Sequence, residues 1–125
     1  MIYTTYFDKL KELPDNIIPV SICLKPPNWY IGVQYKKLAP KQAFFDEWRK
    51  NRNNNYYISC FKDQVLSRLC AEDVVEELTV IASSTTELDN KSLALVCYEQ
   101  PFEFCHRHLV SKWLNEKGFE CKELK

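Results

Sequence analysis

One hundred and twenty-five residues, 46% hydrophobic and 14% aromatic, suffice for one domain (residues 1–125) with an ordinary core, and exclude intrinsic disorder. Seventeen Lys and Arg balance seventeen Asp and Glu, which excludes a strongly basic coat or an acidic tail over the whole chain. Two glycines leave no room for a glycine-rich phosphate loop or a dinucleotide fingerprint.

In chain order, Ile2 to Phe7 is β-branched and aromatic and reads as a first strand. Asp8 to Pro14 makes a helical or irregular turn through Leu10 and Leu13. Ile17 to Leu24 resumes the strand pattern, with Pro19 near its entry, and Pro26-Pro27 stops it. An aromatic connection without clear period follows, from Asn28 to Ala39. Pro40 suits a first helical position, and Phe44, Phe45 and Trp48 share a face of a helix ending near Lys50. Asn53-Asn54-Asn55 reads as a polar loop. Beyond it, Ile58, Phe61, Val65, Leu66 and Leu69 recur at helical spacing. Ala71 to Ala82 repeats the pattern, with Glu72 and Asp73 favouring the positive helix start and a solvated acidic outer face.

The continuous apolar run Leu93 to Tyr98, bounded by polar residues, predicts a strand buried on both faces. Phe104 to Lys117 places Leu109, Val110, Trp113 and Leu114 on one helix side and stops at Gly118. Phe119 to Leu124 adds a last short strand. Strands alternating with helices predict an α/β, Rossmann-like fold: one mostly parallel sheet of about four strands covered by helices. Ligands of such sheets sit beyond the carboxyl ends of the strands.

Six cysteines are too sparse for a disulfide scaffold, and the first eight residues carry no secretory signal. No apolar run is long enough to span a membrane, so no membrane partner is expected. A cytoplasmic protein with reduced thiols is the simplest reading, each cysteine being by default a small buried hydrophobe.

The segment Cys97 to His108 concentrates two cysteines, both histidines, Arg107 and the acids Glu99 and Glu103 at one strand end. Here a loop hands over to a helix whose first N–H groups lack partners, which with Arg107 makes an anion site. The same field lowers the pKa of a cysteine thiol, and a thiolate beside Arg and His is what nucleophilic catalysis needs. Cys97, Cys105, His106 and Arg107 are therefore the candidate catalytic residues. Ser21, Lys25, Glu99 and Arg107 are the candidate ligand contacts. The bland alternative makes Cys97 a core residue and Arg107 a structural ion pair with Glu99 or Glu103. A cysteine-phosphatase loop is excluded, because the sixth residue after Cys97 is Glu103 and after Cys105 is Ser111, neither an Arg. A CxxC redox motif is excluded by the spacing. For a metal, His106 and His108 would point about 200° apart on a helix. Cys105 and His108 would share a face with Cys97 as a third ligand, but no fourth ligand has telling spacing. No metal or cofactor is expected.

Cys97-Tyr98-Glu99 followed by Cys105-His106-Arg107, after an apolar strand and before a helix containing Trp113-Leu114, resembles the family catalogued as domain of unknown function 488. Ser21-Ile22, Pro26-Pro27-Asn28-Trp29-Tyr30 and Leu38-Ala39-Pro40 resemble its first half, so the resemblance covers most of the chain. It implies a small cytoplasmic α/β domain of bacteria, archaea and their viruses. It directs attention to Cys97, Glu99, Cys105, His106 and Arg107, leaves His108 outside the element, and implies no particular activity.

Charge is uneven. Residues 25–52 hold seven Lys and Arg (Lys25, Lys36, Lys37, Lys41, Arg49, Lys50, Arg52) against Asp46 and Glu47, interleaved with Trp29, Tyr30, Tyr35 and Trp48. Cations with stacking aromatics suit nucleotides or single-stranded nucleic acid, while a core face with a solvated lysine coat explains the same residues. Three readings stay open. One is a pocket for a phosphorylated small molecule or nucleotide with thiol-dependent activity. The others are a binding module without chemistry, reaching nucleic acid through 25–52, and a redox switch joining Cys97 to Cys105.

Overall fold

A computed structural model of the protein describes residues 1–88, 90–99 and 103–124. Gln100, Pro101 and Phe102 of the cysteine-bearing segment lie outside the described residues. Among the described residues, five strands form one sheet: β1 (Ile2–Tyr6), β2 (Ile17–Ser21), β3 (Val33–Gln34), β4 (Ser92–Cys97) and β5 (Cys121–Glu123). Their order is β3-β2-β4-β1-β5, and every pairing is parallel. The described residues also form the α-helices α1 (Gln42–Asn51), α2 (Asn54–Gln64), α3 (Ala71–Thr85) and α4 (His106–Glu116), with 3-10 turns at Phe7–Glu12, Lys36–Leu38 and Leu66–Arg68. The arrangement is α/β and Rossmann-like, and wholly parallel rather than mostly so.

β4 lies at the centre, which explains its unbroken apolar run. In register with it, Ile2 and Ile18 flank Leu93, and Thr4 and Val20 flank Leu95. Leu93 and Leu95 share the main core with Phe44, Trp48, Tyr57, Phe61, Val74, Leu78, Val110 and Leu114, all from helices. Val96, of the opposite parity, packs in a smaller cluster with Phe7 and Cys23, under Leu10 and Tyr30. Both parities of a central parallel strand are buried, so both must be apolar.

Several boundaries differ from the sequence expectation for local reasons. The fifth strand, β3, falls inside the aromatic connection; its two residues pair with Val20 and Ser21, too short a run to show alternation. β2 ends at Ser21 rather than Leu24. There the Ser21 hydroxyl accepts from the Cys23 N–H at 3.3 Å, and the Lys36 ammonium ties down the carbonyls of Cys23 and Leu24. Pro19 sits within β2 because its carbonyl meets the Tyr30 hydroxyl at 3.2 Å, so its missing N–H falls on the side away from β4. The Asn run is no loop. Asn53 caps α2 by accepting from the Tyr56 N–H at 3.1 Å, and Asn54 and Asn55 open the helix. Pro40 precedes α1, whose cap is Lys41, and Arg52 closes that helix in the left-handed region at φ 52°. α4 starts at His106 instead of Phe104, with Cys105 as its cap, and ends before Gly118 at φ 92°.

The topology creates a crevice. The chain leaves β2 toward edge strand β3 and leaves β4 toward the opposite edge strand β5, although β2 and β4 are neighbours. This divergence is the switch point at which open α/β sheets hold ligands. No helix among the described residues is long and apolar enough to cross a membrane.

Leu95 is fully buried in the central strand. Leu95→Ala is expected to lower the unfolding free energy by roughly 2–5 kcal/mol, while exposed Val80→Ala changes it by less than about 0.5 kcal/mol. Urea denaturation measures both, and a loss below about 1 kcal/mol at Leu95 would contradict the packing described.

Candidate functional site

A cavity of about 440 Å³ occupies the crevice beyond β2 and β4. Cys23, Leu24 and Lys25 enter it from the end of β2, and Cys97, Tyr98 and Glu99 from the end of β4. Cys105 and His106 come from the cap and first residue of α4. Phe45, Trp48 and Arg49 come from α1, Tyr57 from α2, and Phe104 from the segment before α4. Cys97, Cys105, His106, Trp48 and Tyr57 are buried, whereas Lys25 and Arg49 are exposed. The floor is therefore sulfur and imidazole, the walls are aromatic, and the rim is cationic.

The walls are held by ring-on-ring packing. Trp48 meets Tyr57 and Phe104 at centroid distances of 5.5 and 5.6 Å, and Tyr57 meets Phe104 edge-on at 5.1 Å. The Trp48 indole N–H donates to Asn54 at 2.8 Å, and the Arg52 guanidinium lies 4.3 Å from the Trp48 ring centre. Trp48 is thus a core residue, as its helical spacing predicts, that also lines the cavity. Phe104 and Tyr57 were not singled out in the sequence as site residues. Only the packing of α1 and α2 over the strand ends brings them there.

On the floor, the sulfurs of Cys97 and Cys105 are joined as a disulfide, with their Cα atoms 7.4 Å apart. Spacing alone left this pairing as one of three readings. His106 donates from Nε2 to the Ile22 carbonyl at 2.7 Å, since a carbonyl can only accept. Its Nδ1 consequently carries a lone pair, and lies 4.0 Å from the Cys105 sulfur. Burial pushes the imidazole pKa down to about 4, so His106 is neutral at pH 7. Cys23 is buried beside the site, and its thiol is pushed up to about 12, chiefly by burial. Burial also raises the pKa of the Glu99 carboxyl at the end of β4.

The structure places two candidates beneath the cavity rather than in it. Ser21 is fully buried and spends its hydroxyl on the Cys23 N–H. Arg107 is 0% exposed, so a guanidinium expected to meet a ligand anion instead serves the protein. Its Nε and Nη2 form a fork on Glu123 at 3.1 and 3.0 Å. Nη1 donates to the Glu99 carbonyl at 2.6 Å and to the Cys97 sulfur at 3.3 Å. Glu123 also accepts from the Thr4 hydroxyl at 2.5 Å. The acid that holds Arg107 is thus on β5, rather than Glu99 or Glu103 of its own loop. Metal-ligating geometry is corrected as well: the imidazole beside the cysteines is His106, not His108. Cys105 has an extended backbone, at φ −155° and ψ 143°, so the helical spacing that would align it with His108 does not apply.

Two expectations follow. Glu123→Ala leaves the Arg107 guanidinium buried without its carboxylate and should cost roughly 3–5 kcal/mol, read by urea denaturation; a cost under about 1 kcal/mol would contradict the pairing. His106 binds its proton less readily when folded, so the unfolded chain takes up more protons between pH 6.5 and about 4. Stability contributed by neutral His106 is therefore present above pH 6.5 and falls as pH drops toward 4, by roughly 3 kcal/mol in all. The raised Glu99 pKa acts with opposite sign in wild type and variant alike. Denaturation midpoints of wild type and His106→Gln, in chelator, should therefore converge on acidification, and parallel curves would contradict it.

The DUF488-N3a family model, described as the active DUF488-N3 subclade, matches residues 13–118. Neither a curated protein nor a solved structure matches the chain. The matched span runs from the approach to β2 to the glycine after α4 and includes both cysteines, His106 and Arg107, so the chain belongs to the DUF488 family.

Proposed function

We propose that the cavity binds a phosphorylated, ring-bearing small molecule of nucleotide type, and that Cys97, once reduced, acts on it as a nucleophile. The observation that carries this reading is the layering of one cavity: a buried, bridged cysteine pair below, aromatic walls beside it and two cations at the rim. The volume is in the range of small-molecule sites, and the location is the switch point of the sheet. Aromatic walls suit a base, and Lys25 and Arg49 suit a phosphate. The description of the matched subclade as active agrees with a catalytic role.

Cys97 is the stronger nucleophile candidate because Arg107 donates to its sulfur from a buried position, and a fixed cation favours thiolate over thiol. Arg107 is a positioning residue in this scheme. Cys105 stands at the N-cap of α4, where the helix dipole is positive, with the unprotonated Nδ1 of His106 4.0 Å from its sulfur. A phosphorylated ligand would also lie near the positive end of that helix. Glu99, half-buried with its pKa raised chiefly by burial, is the carboxyl at the same edge. The other four cysteines, Cys23, Cys60, Cys70 and Cys121, are unbridged, which fits a reducing, cytoplasmic setting.

A second reading rests on the bond itself. Cys97 and Cys105 joined as a disulfide switch the nucleophile off, and reduction switches it on. For the nucleic-acid reading, two of the seven cations in 25–52 are committed within the chain: Lys37 pairs with Glu77 at 2.8 Å, and Lys36 holds the strand-end carbonyls. Arg49, near the Phe45 ring, and Lys25 still face the cavity, so a nucleotide within a strand would use the same contacts.

Calorimetric titration of the reduced protein with nucleoside monophosphates, paired with a turnover screen of phosphorylated ring compounds, tests the proposal. Arg49→Ala and Lys25→Ala should each weaken binding by about tenfold or more. Cys97→Ser should bind and not turn over. Binding without any thiol-dependent turnover reduces the protein to a binding module. No binding, together with thiols inert to alkylation until unfolding, overturns the reading altogether.

A further inference from the structure

Three donors of metal-binding type converge at the carboxyl end of β4. The sulfurs of Cys97 and Cys105 and a ring nitrogen of His106 all lie within 4.8 Å of one another, and all three residues are buried. Sequence spacing had offered His108 as the imidazole partner, and the extended cap residue Cys105 substitutes His106. Among the described residues this is the one such group.

The imidazole is already oriented for a ligand role. Nε2 is fixed as the protonated nitrogen by the Ile22 carbonyl at 2.7 Å, which leaves the Nδ1 lone pair beside the Cys105 sulfur at 4.0 Å. A histidine whose far nitrogen donates to a backbone carbonyl is the arrangement that holds metal-ligating imidazoles in one tautomer. The 4.0 Å separation is near the edge of a tetrahedron with zinc at its centre, about 3.6 Å for ordinary Zn–S and Zn–N bonds. The Cα atoms of the cysteines stand 7.4 Å apart, beyond the roughly 4.4–6.8 Å usual for a bridge, so the backbone has room for separated sulfurs. Arg107 donates to the Cys97 sulfur from outside the triad, as outer-shell groups do for thiolate ligands.

We propose that the reduced Cys97–Cys105 pair and His106 form a three-ligand site for a soft or borderline divalent cation, zinc fitting best, with its fourth position open to the cavity. Two thiolates neutralise the ion's charge, which a buried floor requires. Filling the site from the bridged state needs a reductant of the dithiol class. The dithiol passes two electrons and two protons to the S–S bond, giving two thiols and its own disulfide. The cation then displaces both thiol protons to solvent as the two metal–sulfur bonds form. Ion and disulfide are therefore alternative states of one pair of sulfurs. The inference stands on these three side chains alone and does not depend on the identity of the cavity's ligand.

Anaerobic titration of the reduced, chelator-stripped protein with Co²⁺ tests it, followed by back-titration with Zn²⁺. One equivalent should bring up a sulfur-to-cobalt charge-transfer band that zinc abolishes. Cys97→Ser, Cys105→Ser and His106→Gln should each weaken binding by at least about tenfold, with circular dichroism reporting whether each variant is folded. The double variant Cys60→Ser/Cys70→Ser, which removes the accessible cysteines elsewhere, should bind as wild type. In the wild-type protein, Zn²⁺ should shield Cys97 and Cys105 from alkylation while Cys70 keeps reacting, a readout that needs no variant. Absence of the band at one equivalent, or a band that survives Cys105→Ser and vanishes in the Cys60/Cys70 variant, overturns the site. Nucleotide titration of the metal-free protein reports on the cavity separately, so the two proposals fail independently.

Discussion

A fully buried guanidinium governs the geometry of this protein's carboxyl edge. Leaving Arg107 unpaired in the interior would cost several kcal/mol, so the surrounding elements must meet its fork. β5 supplies Glu123, β1 steadies that acid through Thr4, and the end of β4 supplies the Glu99 carbonyl and the Cys97 sulfur. Since Arg107 is the second residue of α4, these bonds fix where that helix starts relative to the sheet. The positions of Cys105 and His106 at the helix start then follow. Substituting a smaller cation would lose the fork, because only a guanidinium reaches a carboxylate, a carbonyl and a sulfur at once.

The same pairing shapes the site's electrostatics. Glu123 takes the Nε and Nη2 fork of Arg107, and Nη1 is directed at the Cys97 sulfur and the Glu99 carbonyl. At the neighbouring Cys23, burial outweighs the lowering influence of Ser21 and Lys36 and pushes the thiol pKa up. Two cysteines on adjacent strand ends therefore differ in their surroundings: Cys23 is a buried thiol with a raised pKa, while Cys97 is bridged to Cys105 and receives an N–H of Arg107. His106 is neutral and locked in one tautomer by the Ile22 carbonyl, so β2 contributes to the site through backbone as much as through side chains. The disulfide of Cys97 and Cys105, the Nδ1 of His106 and the inward N–H of Arg107 thus meet at one point beyond β4.

Much of this was legible in the chain. A continuous apolar run marks a central parallel strand because such a strand has no solvent face, and Leu93 to Cys97 behaves so. The density of thiol, imidazole and guanidinium after it pointed to the edge where the cavity lies. The failures have definite causes. β3 is too short for any period, and Asn53 to Asn55 read as loop because polar side chains serve loops and helix caps alike. The His108 reading assumed that Cys105 was helical, and its extended backbone breaks the three-residue arithmetic. The aromatic walls come from α1, α2 and the segment before α4, so no local pattern could assemble them.

Strand and helix periods, the site segment and the family resemblance are properties of neighbouring residues, and neighbouring residues carry them in the linear chain. The direction of Arg107 is not of that kind. A guanidinium next to a thiol and an imidazole serves equally for ligand and for structure, and its partner Glu123 lies 16 residues away on an edge strand. Likewise the closeness of Cys97 to Cys105, the substitution of His106 for His108, and the crevice between β2 and β4 arise where chain order and spatial order part. The sheet places β4 between β1 and β2, and that crossing, rather than any motif, brings thiols, aromatic walls and cations around one cavity.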